Sequence, residues 1–221
     1  MNANGSNAGD NLAAYPRPSV AVDTAVLTVI DGTLSVVIVD DARDGTRRLP
    51  GTFLHEGELL ADAVRRSLAQ KAGITGLDPV QLQVFDALGR DDRGRVLSVA
   101  HLAAVPAAAI GDAHTEPVDG IGPLAFDHAA ILDLALERLR REYATAPDPR
   151  RLLGDEPFTL LQLERLHRAV DPATPHRDTF RRAMEPQLTP TGKFEQGTVG
   201  KPARLFERIG KTTPSLKPQL H

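Results

Sequence analysis

Residues 49–74 read LPGTFLHEGELLADAVRRSLAQKAGI, and the fold turns on how this stretch divides. Leu49-Pro50-Gly51 is a turn signal, because proline fixes φ and glycine admits backbone angles closed to other residues. Further on, Leu60, Val64 and Leu68 recur at i, i+4. That spacing predicts a helix over residues 59–72, with Gly73 as its stop. The stretch is a loop followed by a helix, with Glu58 just ahead of the helix and Arg66 inside it.

Upstream, residues 19–30 and 34–40 are rich in Val and Ile and predict two strands. Asp31-Gly32 between them suits a tight hairpin, because both residue types tolerate positive φ. Residues 41–48 form a charged loop. Downstream, residues 81–88 and 96–105 predict two further strands around the turn-rich stretch 89–94. Asp127 is placed to cap a second helix running to about Tyr143, with Leu132, Ala135, Leu139 and Tyr143 as its apolar stripe and a charged face over residues 137–142. Pro147, Pro149 and Gly154 then mark a boundary. Strands, helix, strands and helix followed by a compact module point to the α+β class with a separate small domain.

That module opens with a capping box, Thr159 and Gln162, on a helix whose stripe is Leu163, Leu166 and Val170. Asp171-Pro172 ends it. Thr174-Pro175 is expected to start another helix, with threonine as cap, that buries Phe180 and Met184. Residues 188–193 and 200–206 predict two short strands around a glycine-rich loop. Two helices and a hairpin make a winged helix-turn-helix, whose second helix enters a DNA major groove while the wing grips phosphates. Arg177, Arg181, Arg182, Lys193, Lys201 and Arg204 are the basic candidates for contact with double-stranded DNA, joined by Thr174, His176 and Thr179. A capping domain or protein–protein module of the same shape is the alternative.

Composition sets the bounds. With 41% hydrophobic and 25% charged residues in 221, the chain has the make-up of a soluble globular protein. The longest apolar run, residues 20–30, is broken by Asp23 and Thr24, so no membrane span is expected. The start, MNANGSNAGDN, lacks the features of a secretory signal. Cysteine is absent, which excludes disulfides and thiolate metal sites and suits a cytoplasmic location. Residues 1–150 carry 14 basic and 21 acidic side chains, net −7, whereas residues 151–221 carry 12 and 8, net +4. A basic end on an acidic body suits an anionic partner.

The stretch from Leu49 to Ile74 resembles the loop–helix–loop of Nudix hydrolases: a glycine, five residues, Glu, seven residues, then Arg-Glu-U-x-Glu-Glu-x-Gly-U, where U is aliphatic. Glu58, Arg66, Leu68, Gly73 and Ile74 match, whereas Thr52 replaces the first glycine and Ser67, Gln70 and Lys71 replace the three glutamates. Those three positions share one helix face, where carboxylates would hold the divalent ions that neutralise phosphate charge. Ser and Gln are poor substitutes and Lys71 puts a positive charge where the cation would sit. The reading is a degenerate site with no catalytic residue, no metal and no required cofactor. Lys71 either takes over part of the metal's role against a ligand diphosphate or is a solvated surface lysine.

Residues 85–95, FDALGRDDRGR, and 124–128, LAFDH, resemble ADP-ribose-type Nudix proteins. That resemblance makes Asp86, Arg90 and His128 candidate pocket residues beside Arg47, Arg48, Glu58 and Lys71. Across residues 18–208 the pairing of a degenerate box with a TPHRDTFRRAM-like helix and a KPARLF strand resembles the Nudix-related transcriptional regulators of NAD metabolism, the NrtR family. The resemblance implies a Nudix-like α/β/α sandwich followed by a winged helix-turn-helix. It also implies a homodimeric repressor of NAD biosynthesis or salvage genes, with ADP-ribose or a related nucleotide as effector. The expected division is a disordered tail at 1–15, an effector-sensing domain with its linker helix at 16–150, a DNA-binding domain at 151–210 and a flexible tail at 211–221. A Nudix pyrophosphatase acting on ADP-ribose-like compounds, and a sugar-responsive regulator of the same architecture, are the rival readings.

Overall fold

The long Val-rich strand β1 (Ser19–Ile30) is buried from Ala21 to Thr28 and organises the first sheet. In the computed structural model, which describes residues 15–41, 45–195 and 202–209, β1 pairs in parallel with β7 (Val96–Ala104) over nine residues. Its other edge is divided. The start of β1 pairs with β5 (Gly51–Phe53), and its end pairs across the Asp31-Gly32 turn with β2 (Thr33–Val37). Asp31 and Gly32 have φ of 49° and 78°, as the hairpin requires. β6 (Val80–Phe85) extends the sheet beyond β7, and β8 (Thr115–Pro117) beyond β2.

Because side chains alternate along a strand, each face of this sheet receives its own helix. Val22, Val26, Val37, Val99 and Ala103 meet Ala63, Val64 and Leu68 of α1 (Leu60–Ala72) on one face. Ala25, Leu27, Leu34, Val36, Ala100 and Leu102 meet Ile131, Leu132, Ala135, Leu139 and Tyr143 of α2 (His128–Tyr143) on the other. The result is the expected α/β/α sandwich. Gly73 ends α1 in the left-handed region, φ 68°.

The carboxyl-terminal module is built on β9 (Phe158–Thr159), α3 (Leu160–Val170), α4 (Arg177–Met184), β10 (Leu188–Phe194) and β11 (Arg204–Arg208). The capping box forms in full between Thr159 and Gln162. Phe158, Leu163, Phe180, Met184, Leu188 and Phe206 make a small core under a three-stranded sheet in the order β10-β11-β9. This is a winged helix. Its α3 is shared: Leu163 faces the small core, but Leu166 and Val170 join the large core under α2. Burying two such side chains stabilises the contact by about 2 kcal/mol each, enough to hold the modules as one body.

Asp148 locks that joint. Its side chain has no exposed surface. It accepts the Tyr143 hydroxyl at the end of α2, the Leu152 amide at 2.8 Å, the Leu153 amide at 3.1 Å and the Arg208 guanidinium from β11. Burial, then the Asp148 charge, push the Tyr143 hydroxyl well above its ordinary value, so it remains a donor. Beside it the His167 ring, on α3, donates from Nε2 to the Pro147 carbonyl and stands edge-on to Tyr143 and Phe180, with centroids 5.2 and 4.8 Å away.

Several expectations need correction. The strand at residues 34–40 breaks at Ile38, whose amide bonds the His114 carbonyl, and its end forms β3 (Val39–Asp40) against β4 (Arg47–Arg48) in a separate ribbon. Asp127 occupies the N-cap position of α2 without capping it, because its carboxylate is taken by Arg90. Thr174 does not cap α4. Its hydroxyl donates to the Asp171 carbonyl in a turn closed by the Asp171 carboxylate, and the helix begins after His176. The final strand runs Arg204–Arg208, with residues 202–203 ahead of it and the expected start at residue 200 outside the described residues. Lys201 and the expected tails, Tyr15 apart, lie outside the described residues.

Asp148→Ala should lower the midpoint of urea unfolding, because removing one partner of a buried ion pair costs about 3–5 kcal/mol. Tyr143→Phe, which removes one hydrogen bond, should cost about 1 kcal/mol. Equal midpoints for Asp148→Ala and the parent would show that the joint does not rest on this carboxylate.

Candidate functional site

A cavity of about 210 Å³ opens where β1, β4 and β5, the ends of α1 and α2 and the β6–β7 loop converge. Its lining includes Asp23, Arg48, Leu49, Phe53, Lys71 and His128. The split edge of β1 makes the space, since β5 leaves after Asp23 and β2 pairs only from Leu27 onward. Gly51 lies so close to β1 that a Cβ there would sit 1.9 Å from Asp23 Oδ1 and 3.0 Å from the Val22 carbonyl. No side chain fits at that position.

Asp23 is the electrostatic centre of the wall. It accepts Ser98 Oγ at 2.5 Å, stands 3.3 Å from His128 Nε2 and 3.4 Å from Arg90 Nη2. Burial alone would raise its carboxyl, but hydrogen bonds from His128 and Ser98 and the Arg90 charge outweigh it and hold the group below its ordinary value. The Leu49 amide donates to His128 Nδ1 at 2.9 Å, which places the ring proton on Nε2, facing Asp23. Arg90, only 9% exposed, forms a bidentate pair with Asp127 at 2.9 and 2.6 Å. That pair fixes the start of α2 against the β6–β7 loop.

The mouth is aromatic. Phe53 and Phe126 are 37% and 46% exposed, and the Arg93 guanidinium lies 5.3 and 5.9 Å from their ring centroids. Phe126 holds φ at 57°, a region non-glycine residues rarely adopt, immediately before α2. Asp91 binds the Arg93 amide and guanidinium, which lower its carboxyl to about 2.

The fold family's divalent cations do not fit the residues present. Ser67 is buried, and its hydroxyl has no hydrogen-bond partner among the described residues. Gln70 is exposed, and Lys71 donates from Nζ to the Gly51 carbonyl. Both Glu58 oxygens are committed, to Arg66 at 2.7 and 2.8 Å and to the His55 amide at 2.9 Å. The Arg66 hydrogen bond chiefly lowers the Glu58 carboxyl, to about 2. Among the described residues no group of three or more His, Asp or Glu is placed to hold a metal ion.

Of the sequence candidates, Arg48, Lys71, Arg90 and His128 line the cavity. Arg47, Glu58 and Asp86 do not. Arg47 pairs with Glu116 at 2.7 Å, Glu58 clamps Arg66, and Asp86 is exposed with its carbonyl accepting Arg95. Sequence reasoning missed Asp23, Phe53, Asp91, Arg93 and Phe126. A lone aspartate in a Val-rich strand was a usable signal for Asp23, and Phe126 sits within the quoted LAFDH. Nothing in the sequence singles out Asp91 from Asp92.

On the winged helix, His176, Arg177, Thr179, Arg181 and Arg182 are exposed on or beside α4, with Lys193 on β10 and Arg204 on β11. Arg181 pairs with Glu185 at 2.6 Å. Thr174 is half-buried in the turn before α4.

By fold and site this is a Nudix-type domain joined to a winged helix. Residues 150–207 match the family described as the NrtR DNA-binding winged helix domain. The chain is 27% identical over 210 residues to the ADPR responsive transcriptional repressor NtrR of Acinetobacter baylyi, covering 87% of this chain and 82% of the relative. It superposes on Shewanella oneidensis NrtR in complex with a 27mer DNA, with TM-score 0.70, 29% identity, and coverage of 86% of this chain and 93% of that one. The Nudix domain of the same Shewanella protein in complex with ADP ribose matches with TM-score 0.52 and 29% identity, covering 60% of this chain and 95% of that one. The chain is thus homologous to NrtR proteins through most of its length, and its carboxyl-terminal part is an NrtR winged helix domain.

The Asp23 carboxyl, ordinarily at 3.8, is held lower in the fold. Its stabilisation is therefore full above about pH 4 and is lost as pH falls through the folded value. Asp23→Asn should flatten the acid limb of a curve of thermal midpoint against pH. An acid limb as steep as the parent's would remove Asp23 from the account.

Proposed function

We propose that this chain is a DNA-binding transcriptional repressor of NAD biosynthesis or salvage genes that senses ADP-ribose, or a related NAD metabolite, without hydrolysing it. One observation carries the reading: a cavity suited to a nucleotide, in a box stripped of its metal ligands, is built into the same body as a winged helix with a basic face. The relatives supply the ligands by name, ADP ribose and DNA.

The working form is a homodimer in the cytoplasm, since two half-sites on an operator require two recognition helices. Arg177 and Arg182 on α4 would contact the groove and its phosphates, with Thr179 between them and Lys193 and Arg204 on the wing. The 16 residues of α2 span about 24 Å, from the pocket residue His128 to Tyr143 at the joint. An effector acts by binding one arrangement of the dimer better than the other, and α2 is the element that both sites touch. No helix among the described residues is long and apolar enough to cross a membrane.

Gel shifts with the region upstream of NAD-synthesis genes, with and without ADP-ribose, test the regulatory reading. Specific retardation that changes with ADP-ribose is expected, and its absence in both conditions would overturn the proposal. Arg182→Ala should weaken binding across sequences and reduce the salt slope by about one. Incubation with ADP-ribose and Mg²⁺ or Mn²⁺ should release no AMP. Release abolished by Glu58→Gln would instead identify a pyrophosphatase.

A further inference from the structure

We propose that Lys71, together with Arg48, stands in for the missing divalent cation and forms a metal-independent subsite for the diphosphate group of a nucleotide. The inference rests on the reading of the cavity as a nucleotide sensor, and it specifies what holds the ligand's charge there.

The charges around the cavity are unequally committed. Asp23 is satisfied by Ser98, His128 and Arg90; Asp91 by Arg93; and Arg90 by Asp127. Lys71 is left with a neutral partner, the Gly51 carbonyl, and forms no ion pair among the described residues. Arg48 pairs with Asp41, yet its Nε–H is buried without a hydrogen-bond partner among the described residues. Both cations line one cavity, and the Lys71 ammonium, held by a single neutral carbonyl, has donors to spare. Burial, then the nearby Arg48 charge, lower the Lys71 ammonium from its ordinary value, so the resting pair carries a penalty that an anion relieves.

Geometry selects the side from which the anion enters. Arg48 and Lys71 also border a second cavity, but there Asp40 and Asp41 match them charge for charge. On the first side four basic side chains, Arg48, Lys71, Arg90 and Arg93, stand against two carboxylates, Asp23 and Asp91, and the aromatic mouth of Phe53 and Phe126 lies beyond. Lysine suits the position because its ammonium is a compact point charge, close in form to the ion it replaces, with three donors that need no fixed plane. The stem is held in place because α1 is anchored to the loop by the Arg66–Glu58 clamp, with further Arg66 donors to Thr52 Oγ1 at 3.1 Å and the Phe53 carbonyl at 2.9 Å.

The test is calorimetric titration of the full chain with ADP-ribose and, separately, with inorganic pyrophosphate, each in EDTA and in Mg²⁺. The parent should bind ADP-ribose within about twofold of the same affinity in both buffers, and Lys71→Gln should weaken both probes by about tenfold or more. Lys71→Arg, which keeps the charge, should retain most of the affinity. A lysine that only favours the carbonyl end of α1 would change the thermal midpoint and leave both affinities unmoved. Binding that needs Mg²⁺, or parental affinity in Lys71→Gln, overturns the proposal. Pyrophosphate bound through Lys71 without any binding of ADP-ribose keeps the subsite and discards the effector. Failure of both probes to bind overturns the subsite, while the gel shifts still judge the regulator.

Discussion

A carboxylate with no exposed surface must be satisfied from within, and Asp148 is satisfied from both modules at once. Tyr143 reaches it from the last residue of α2, two amides from the linker, and Arg208 from the wing strand. The four donors come from three elements, so none of these can shift without leaving a buried charge short of a partner. His167 adds a second tie between the linker and α3, and its edge touches Phe180 on α4. The recognition helix, the wing and the end of α2 are therefore held in one frame.

At the other end of α2 the same logic recurs with opposite geometry. Asp127 gives up the cap of the helix to hold Arg90 in two hydrogen bonds, and Arg90 in turn faces Asp23 in the middle of β1. Pocket and helix are thus linked through charge pairs whose members are scarcely exposed, where Coulomb interactions are least screened. A ligand that draws on Arg90, His128 or Phe126 bears directly on the first turn of α2.

How much of this was legible depended on range. The β1–β2 hairpin, α1 with its glycine stop and the Thr159–Gln162 capping box rest on neighbours within a few residues, and all three stand as the sequence implies. Thr174 and Asp127 mislead because each carries the right chemistry for a cap and was drawn to another partner, Thr174 to a local turn and Asp127 to an arginine far away in sequence. The short strands β8 and β9 have too few residues to show a period. Within the pocket, Arg48, Lys71, Arg90 and His128 were legible because they flank motif positions. Arg47 flanks them equally well and points elsewhere, because successive residues of a strand face opposite ways, and Asp86 lies exposed in the loop after β6. Asp23 and Arg93 join the site only when β1 and the β6–β7 loop meet in space.

The shared α3 has a consequence for how such chains can be recombined. Leu166 and Val170 are buried by α2 and the sandwich core rather than by the winged helix to which they belong. A cut between the modules would leave each with an apolar face to cover. A chimera grafting this reader onto another sensor would have to transplant the outer surface of α2 with it.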